Sequence, residues 1–254
     1  TAQQVQEVLG IPFYQTFKPY TREELHAMGI VLFDEVQELL DSGKKPKEIF
    51  DAVSVLNYGF ALVKLNGKCN FINTEGKLLS NQWFDYVYRF SDGFAWVKLN
   101  GKSNLINTEG KLISEQWFDW VDDFYDGFAR VKLNDKWNLI NREGKLISNQ
   151  WFDAVGSFSN GFARVTLNRK WNLINREGKL ISNQWFDAVY DFEEGIALVK
   201  LNDKWNFINT EGKIISEQWF DYIDSSFYDG FARVYLNGKY NFINTEGKLI
   251  SNQD

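Results

Sequence analysis

A chain of 254 residues with 44% hydrophobic and 17% aromatic residues can bury a substantial core, which excludes an intrinsically disordered segment. The net charge of −6 excludes a broadly basic surface, so nucleic acid is not an expected partner. No apolar run approaches the roughly 20 residues that span a bilayer. The single cysteine, Cys69, cannot form an internal disulfide, and the cellular compartment stays open.

Residues 1–48 predict a small helical segment in front of the rest of the chain. A short first helix is expected to end at Gly10, since glycine suits the left-handed position that closes helices. Thr21 and Glu24 form a capping box, which predicts the start of a second helix. Gly43 is placed to end this helix. Its apolar face consists of Leu25, Met28, Leu32, Val36, Leu39 and Leu40.

A third helical turn is expected to open at Pro46. Acidic residues outnumber basic ones in residues 1–48, which argues against a DNA-binding helix–turn–helix. We interpret the segment as a helical cap on the end of a repeat array. The only histidine, His26, is expected to be solvated or partly packed.

A unit of 34 or 35 residues recurs six times in residues 49–254. Its landmark is a Gly-Phe/Ile-Ala tripeptide that begins at Gly59, Gly93, Gly127, Gly161, Gly195 and Gly230. We number the repeats 1 to 6 by these glycines. The sequence therefore predicts a tandem array in which each unit buries its apolar side chains against its neighbours.

Four short strands are predicted within one unit, at residues 118–124, 128–133, 136–141 and 145–148 in repeat 3. Asn134-Asp135 separates the second strand from the third, and three other repeats have Asn-Gly there. Asn-Gly tolerates the positive φ angles of a type I′ turn, so this connection is predicted to be a two-residue hairpin.

The predicted fold class is an all-β tandem array of six units of about 34 residues, preceded by the helical segment. We expect a β-propeller-like ring, because the last repeat keeps the apolar pattern of the interior repeats. The alternative is an open β-solenoid, since 34 residues is short for a propeller blade. The expected domains are residues 1–48 and residues 49–254.

Lys136-Trp137-Asn138 and the equivalent tripeptides of repeats 4 and 5, each followed by an apolar strand and Glu-Gly-Lys, resemble the bacterial WG-repeat family. That family has a Lys-Trp-Gly step and an upstream Gly-Phe/Leu-Ala. The chain departs from it by Asn at the glycine position, and by other residues at the tryptophan position: Cys69, Ser103 and Tyr240. The resemblance implies a binding or scaffolding module and no particular ligand.

The strongest recurring motif is Gln-Trp-Phe-Asp, which begins at residues 82, 116, 150, 184 and 218. We interpret its aromatic residues as packing between units and its polar residues as partners of turn amides. The alternative is a lectin-like module, because a row of exposed tryptophans could stack on sugar rings. An isolated Asp in each copy does not make a calcium loop, so no metal is predicted.

The sequence contains none of the common catalytic motifs. There is no Gly-x-Ser-x-Gly elbow, no phosphate-binding glycine loop and no second histidine, and no cofactor is predicted. A glycosidase that uses two carboxylates from distant copies is the remaining catalytic alternative. The expected function is a non-enzymatic scaffold that binds another protein.

Differences between the repeats indicate where a partner binds. The 34-residue stretches that begin at Gly127 and at Gly161 differ at hairpin tips and in the loop before the next glycine: Lys132/Thr166, Asp135/Arg169, Gly156/Tyr190, Ser157/Asp191, Ser159/Glu193 and Asn160/Glu194. Large aromatics in the first strand also replace the alanine of other copies. We expect these positions to form one variable binding face, and the candidate binding residues are Tyr86, Trp120, Tyr222, Asp135, Arg169 and Tyr190.

Overall fold

The computed structural model describes residues 21–28, 32–224 and 227–250. These residues form six repeats of three or four short antiparallel strands, preceded by three short helices. The helices are α1 Arg22–Ala27, α2 Phe33–Asp41 and α3 Pro46–Ile49. The chain divides into two compact units, Thr1–Val121 and Asp122–Asp254.

Each repeat contributes one two-residue strand followed by two six-residue strands. In the first unit the strands are β1 Ala52–Val53, β2 Phe60–Leu65, β3 Lys68–Asn73, β4 Tyr86–Val87, β5 Phe94–Leu99, β6 Lys102–Asn107 and β7 Trp120–Val121. In the second unit they are β8 Phe128–Leu133, β9 Lys136–Asn141, β10 Ala154–Val155, β11 Phe162–Leu167, β12 Lys170–Asn175, β13 Ala188–Val189, β14 Ile196–Leu201, β15 Lys204–Asn209, β16 Tyr222–Ile223, β17 Phe231–Leu236, β18 Lys239–Asn244 and β19 Leu249–Ile250.

The two long strands of each repeat form the predicted two-residue hairpin. Asn66 and Gly67 at its turn have φ angles of 50° and 77°, the left-handed conformation of a type I′ turn. The Asn-Gly prediction is therefore confirmed. Repeats 3, 4 and 5 place a residue with a side chain at the glycine position, also in the left-handed region at φ 61° to 63°: Asp135, Arg169 and Asp203.

Consecutive sheets are joined by one dipeptide of the Gln-Trp-Phe-Asp motif. Phe186 exchanges two backbone hydrogen bonds with Trp171 of β12, at 2.8 and 2.9 Å. The N–H of the next residue, Asp187, donates to the carbonyl of Lys200 in β14 at 2.8 Å. The peptide bond between Phe186 and Asp187 thus connects two sheets, because Phe186 pairs with one and Asp187 with the next.

The core lies in apolar layers between successive sheets. In one layer Leu173 of β12 packs with Phe192 and with Val199 of β14, and all three are 2% exposed or less. Successive side chains of a strand point to opposite faces of the sheet. The Ala and Val side chains of the second strand therefore enter one apolar layer, and the residues between them face the layer on the other side. This alternation explains why each repeat needs its neighbours.

The predicted capping box of the N-terminal segment is confirmed. The N–H of Glu24 donates to Oγ1 of Thr21 at 3.2 Å, and the N–H of Thr21 donates to Oε2 of Glu24 at 2.8 Å. The single long helix predicted up to Gly43 is wrong, because α1 ends at Ala27 and Leu32 is extended before α2. Gly29 in the intervening sequence is a poor helix former. The first helix predicted before Gly10 lies outside the described residues.

Helix α2 packs on the first repeat. Val36 of α2, Phe50 and Val63 of β2 are buried in one apolar cluster. Oε1 of Gln37 accepts a hydrogen bond from the N–H of Leu78 at 3.1 Å. These contacts agree with a helical cap on the array, whereas the boundary between residues 48 and 49 stays a prediction.

The predicted first and fourth strands are too long. Phe118 pairs with Ser103 in one sheet, while the next strand begins only at Trp120, so the stretch predicted as one strand is divided. In repeat 3 the fourth strand is a single bridge between Ile140 and Leu146. Closure of the array into a β-propeller-like ring, rather than an open solenoid, stays a prediction.

Candidate binding surface

The Gln-Trp-Phe-Asp aromatics pack between sheets. The phenylalanines Phe84, Phe118, Phe152, Phe186 and Phe220 are at most 1% exposed. Trp185 joins the apolar layer that holds Leu139 of β9 and Val165 of β11, and its ring centroid lies 6.5 Å from that of Phe152. The packing interpretation is therefore confirmed, and the motif does not form a solvent-facing row of tryptophans.

The aspartate of the motif links neighbouring repeats. Asp187 accepts one hydrogen bond from Nζ of Lys170 and another from the N–H of Asn202, at 2.7 Å for the latter. The Lys170 hydrogen bond holds the pKa of this carboxyl below its usual range. The same lysine–aspartate pair occurs five times: Lys68–Asp85, Lys102–Asp119, Lys136–Asp153, Lys170–Asp187 and Lys204–Asp221.

These aspartates are poorly suited to the catalytic alternative. A glycosidase acid requires a raised pKa, whereas those of Asp153, Asp187 and Asp221 are lowered by a lysine partner. Burial raises the pKa of the Cys69 thiol, which makes it a weak nucleophile. Within residues 21–28, 32–224 and 227–250, no group of three or more His, Cys, Asp or Glu side chains could hold a metal ion.

An asparagine occupies the position that is glycine in the family that the chain was found to resemble. Asn138 is 1% exposed, and its Nδ2 donates to the carbonyls of Ser148 and Gln150 at 2.8 and 3.2 Å. Its Oδ1 accepts from the N–H of Leu139 at 2.8 Å. Asn70, Asn104, Asn172 and Asn206 make the same three contacts. In repeats 1 to 5 the asparagine side chain thus holds the segment that leads from the third strand into the next repeat.

Three candidate binding residues of the second unit lie in its hairpins and loops. Asp135 and Arg169 occupy hairpin tips. Tyr190 follows β13, and its N–H donates to the carbonyl of Leu198 in β14 at 2.9 Å. The expectation that the candidates form one variable binding face stays a prediction.

Two of the candidates meet in the first unit. Tyr86 and Trp120 are about half exposed, and both contact Trp96, with ring centroids 6.0 and 6.1 Å apart. Sequence reasoning missed Trp96, although it replaces the Leu or Arg of the other repeats at that position. Tyr222 is also half exposed and pairs across its sheet with Tyr235.

A first cleft in the second unit has Gly156 in its lining. The cleft has a volume of about 890 Å³, and its lining includes Tyr125, Ser157, Asn160 and Arg164. The equivalent residue is Tyr88 in repeat 2 and Tyr190 in repeat 5, and both tyrosines are about half exposed. A Cβ atom at Gly156 would meet only ordinary contacts, the shortest being 3.6 Å to the carbonyl oxygen of Arg164.

A second cleft of about 420 Å³ adjoins the first. Tyr190, Glu193, Glu194 and Phe227 contribute to its lining, and Arg164 and Asp191 line both clefts. Tyr190 is held by Trp205, whose ring centroid lies 6.0 Å away. Both clefts are built by pre-glycine loops, where the repeats differ most in sequence.

The charges around the clefts are largely paired. Nε of Arg164 lies 3.0 Å from Oδ1 of Asp191, and both residues line both clefts. Arg176 binds Asp126 in the same way. Arg164 also lies over the ring of Trp171, 5.8 Å from its centroid. These pairs fix the cleft walls, while Glu193 and Glu194 add negative charge at the rim.

The family sequence model described as "WG containing repeat" matches residues 48–69, 71–102, 105–137, 139–171, 173–205 and 207–240. The chain belongs to the WG-repeat family. The match covers every WG repeat up to the hairpin of repeat 6, and the resemblance seen in the Lys-Trp-Asn motif is thereby confirmed. No curated protein matches the chain significantly.

Solved structures similar to this WG-repeat chain are distant in sequence. Hsv2p of Kluyveromyces lactis is 12% identical, with 77% of this chain and 75% of that chain covered and a TM-score of 0.31. Hsv2 of Kluyveromyces marxianus is 12% identical, with coverage of 77% and 70% and a TM-score of 0.33. A protein of unknown function from Bacteroides caccae is 15% identical, with coverage of 65% and 80% and a TM-score of 0.24.

None of the helices in the described part of the WG-repeat chain is both long and apolar enough to cross a membrane.

Proposed function

We propose that this WG-repeat chain is a non-enzymatic binding module whose second unit holds a segment of a partner protein in the two adjoining clefts. The observation that carries this proposal is the first cleft, whose lining includes Gly156 at a position where repeats 2 and 5 have tyrosine. A repeat scaffold that drops one bulky side chain among similar copies creates a specific recess on an otherwise regular surface.

The lining of the clefts suits a polypeptide. Tyr125 is 67% exposed beside the first cleft, and exposed tyrosine is enriched at protein interfaces. Ser157 and Ser159 supply hydroxyl groups that can bind an extended backbone. The wall between the clefts is fixed, because Arg164 is held both by Asp191 and by Trp171. A rigid surface loses little conformational entropy when it binds.

Gly156→Tyr is the matched test, since the repeat already accepts tyrosine at this position. The variant is expected to keep the unfolding midpoint and circular dichroism of the wild type while filling the first cleft. A protein captured from the native host by the immobilised wild type should be lost with Gly156→Tyr and retained with Asp203→Gly, a change at a hairpin tip. Equal capture by all three proteins would refute the cleft as the binding site.

The aromatic group of the first unit favours a second candidate function. Tyr86, Trp96 and Trp120 form a partly exposed aromatic surface, which suits stacking on the apolar face of a sugar ring. A glycan that binds there should change tryptophan fluorescence on titration, and Trp120→Ala should abolish the change. No response across a saccharide panel would contradict this candidate.

A further inference from the structure

Three pre-glycine loops of the second unit contribute to the first cleft. The middle loop, residues 156–160, carries no charged side chain, and all five of its residues line the cleft. The outer loop at residues 122–126 contributes Asp126, and the outer loop at residues 190–194 contributes Asp191. A ligand in the first cleft therefore lies against one uncharged loop and two charged ones.

The two outer loops carry an excess of negative charge. They contain no lysine or arginine and six acidic residues: Asp122, Asp123, Asp126, Asp191, Glu193 and Glu194. Three of the six bind arginines from elsewhere in the unit, in the pairs Asp122–Arg130, Asp126–Arg176 and Asp191–Arg164. Among the described residues, the other three acidic side chains make no ion pair. The arginines therefore neutralise only half of the acidic side chains.

The three carboxylates without an arginine lie beside the clefts. Glu193 and Glu194 are exposed and line the second cleft. Asp123 is also exposed, and it lines a narrow crevice that shares Ser157 with the first cleft. The arginines in these linings are two of those already bound to aspartates. A ligand in the clefts therefore meets uncompensated negative charge from both outer loops.

Each outer loop also presents a tyrosine near its carboxylates. Tyr125 lines the first cleft and is 67% exposed, and Tyr190 lines the second and is 52% exposed. An aromatic ring beside a carboxylate suits a lysine or arginine side chain, because the ring attracts the cation and packs against its aliphatic stem. An acidic segment would instead bring like charges together, which opposes binding. The lining thus favours a cationic occupant.

We propose that the clefts of the second unit select a basic polypeptide segment. The backbone of the segment lies on the hydroxyl groups of Ser157 and Ser159 in the middle loop. Its lysine or arginine side chains reach the outer loops and bind the carboxylates of Asp123, Glu193 and Glu194. This inference rests on the proposed function and adds to it the charge of the partner. Because exposed charges attract through water, the binding should weaken as salt is added.

Three labelled nine-residue peptides are the probes, in which serine alternates with lysine, with glutamine or with glutamate. In fluorescence anisotropy with the full chain, the lysine peptide should bind saturably at one site. It should bind at least about tenfold more tightly than the glutamine peptide, and the glutamate peptide should bind most weakly. Raising the salt from about 50 mM to about 300 mM should weaken the lysine peptide several-fold. Gly156→Tyr should also weaken it several-fold, because the tyrosine occupies the first cleft.

Two charge-matched double variants assign the attraction to the outer loops. Glu193→Gln with Glu194→Gln should weaken the lysine peptide at least about threefold. Asp203→Asn with Glu217→Gln removes two carboxylates that do not line the clefts, and should leave the affinity unchanged. Equal loss in both double variants would overturn the proposal, because it would trace the binding to the net charge of the chain.

The outcomes also separate the charge selection from the proposed function. A glutamine peptide that binds as tightly as the lysine peptide, and that Gly156→Tyr weakens, would overturn the charge selection and leave the clefts as a polypeptide site. Absence of binding by the lysine peptide would overturn the selection as well. The capture test with Gly156→Tyr decides the proposed function independently of these peptides.

Discussion

The buried asparagine of the WG repeat is expected to act as a cross-link, and Asn138→Ala tests this role. The substitution removes two hydrogen bonds that join β9 to the segment leading into repeat 4, and one with the N–H of Leu139 within β9. Alanine leaves two carbonyls and one N–H without these partners in a position that is 1% exposed.

The magnitude follows from the number of bonds. A buried hydrogen bond contributes about 1 kcal/mol net, so three bonds predict a loss of about 3 kcal/mol in the free energy of unfolding. Asn138→Asp keeps the shape and the acceptor but replaces the donor by a buried charge. Its cost should be at least as large as that of alanine.

The last repeat supplies a matched control. Asn241 is half-buried, and among the described residues its side chain accepts one hydrogen bond, from the N–H of Phe242 at 2.8 Å. Asn241→Ala should therefore cost only about 1 kcal/mol.

Urea unfolding followed by tryptophan fluorescence and by circular dichroism measures both variants. Coincident transitions with equal slopes are required for the comparison, since repeat arrays can lose cooperativity. If Asn138→Ala and Asn241→Ala differ by less than about 0.5 kcal/mol, the cross-link account is refuted.

Other predictions concern turns and the inter-repeat ion pairs. Arg169→Gly should raise the free energy of unfolding by about 0.5–1 kcal/mol, because glycine relieves the left-handed strain at this turn. Gly178→Ala should lower it by more than about 2 kcal/mol, since its Cβ would lie 1.6 Å from the carbonyl oxygen of Ile147, whereas the open Gly76→Ala should cost about 1 kcal/mol. The inter-repeat aspartates have pKa values lowered mainly by lysine hydrogen bonds, so their stabilisation should be complete above about pH 4 and be lost as the pH falls through the lowered values. Urea midpoints between pH 6 and pH 2.5 should therefore fall less steeply in a triple Asn variant of Asp153, Asp187 and Asp221.

Local patterns in the sequence predicted local structure well. The Asn-Gly turns specified their hairpins because few residues tolerate two consecutive left-handed conformations. Thr21 and Glu24 specified a helix start for a similarly local reason. The length of the helix that follows was not predictable from its apolar periodicity alone, because the same spacing continues across Gly29 into α2.

The candidate surface depended on features that sequence comparison shows only in part. The positions that vary between the stretches beginning at Gly127 and at Gly161 included Gly156 and the residues around it, and these line the first cleft. The sequence did not separate them from Asp135 and Arg169, because a comparison of copies shows which residues vary and not which of them line one cleft. Trp96 was missed for a related reason: its contact with Trp120 joins residues that are 24 positions apart.

Site-specific photocrosslinking tests the central claim most directly. A photoreactive residue at Ser157, in the first cleft, is compared with one at Asp203, on a hairpin tip of the same unit. The account predicts a polypeptide adduct from the host extract at position 157, no adduct at position 203, and loss of the first adduct when Gly156→Tyr is added. An absent adduct at 157, or one that persists in the Gly156→Tyr background, would contradict the assignment of the cleft.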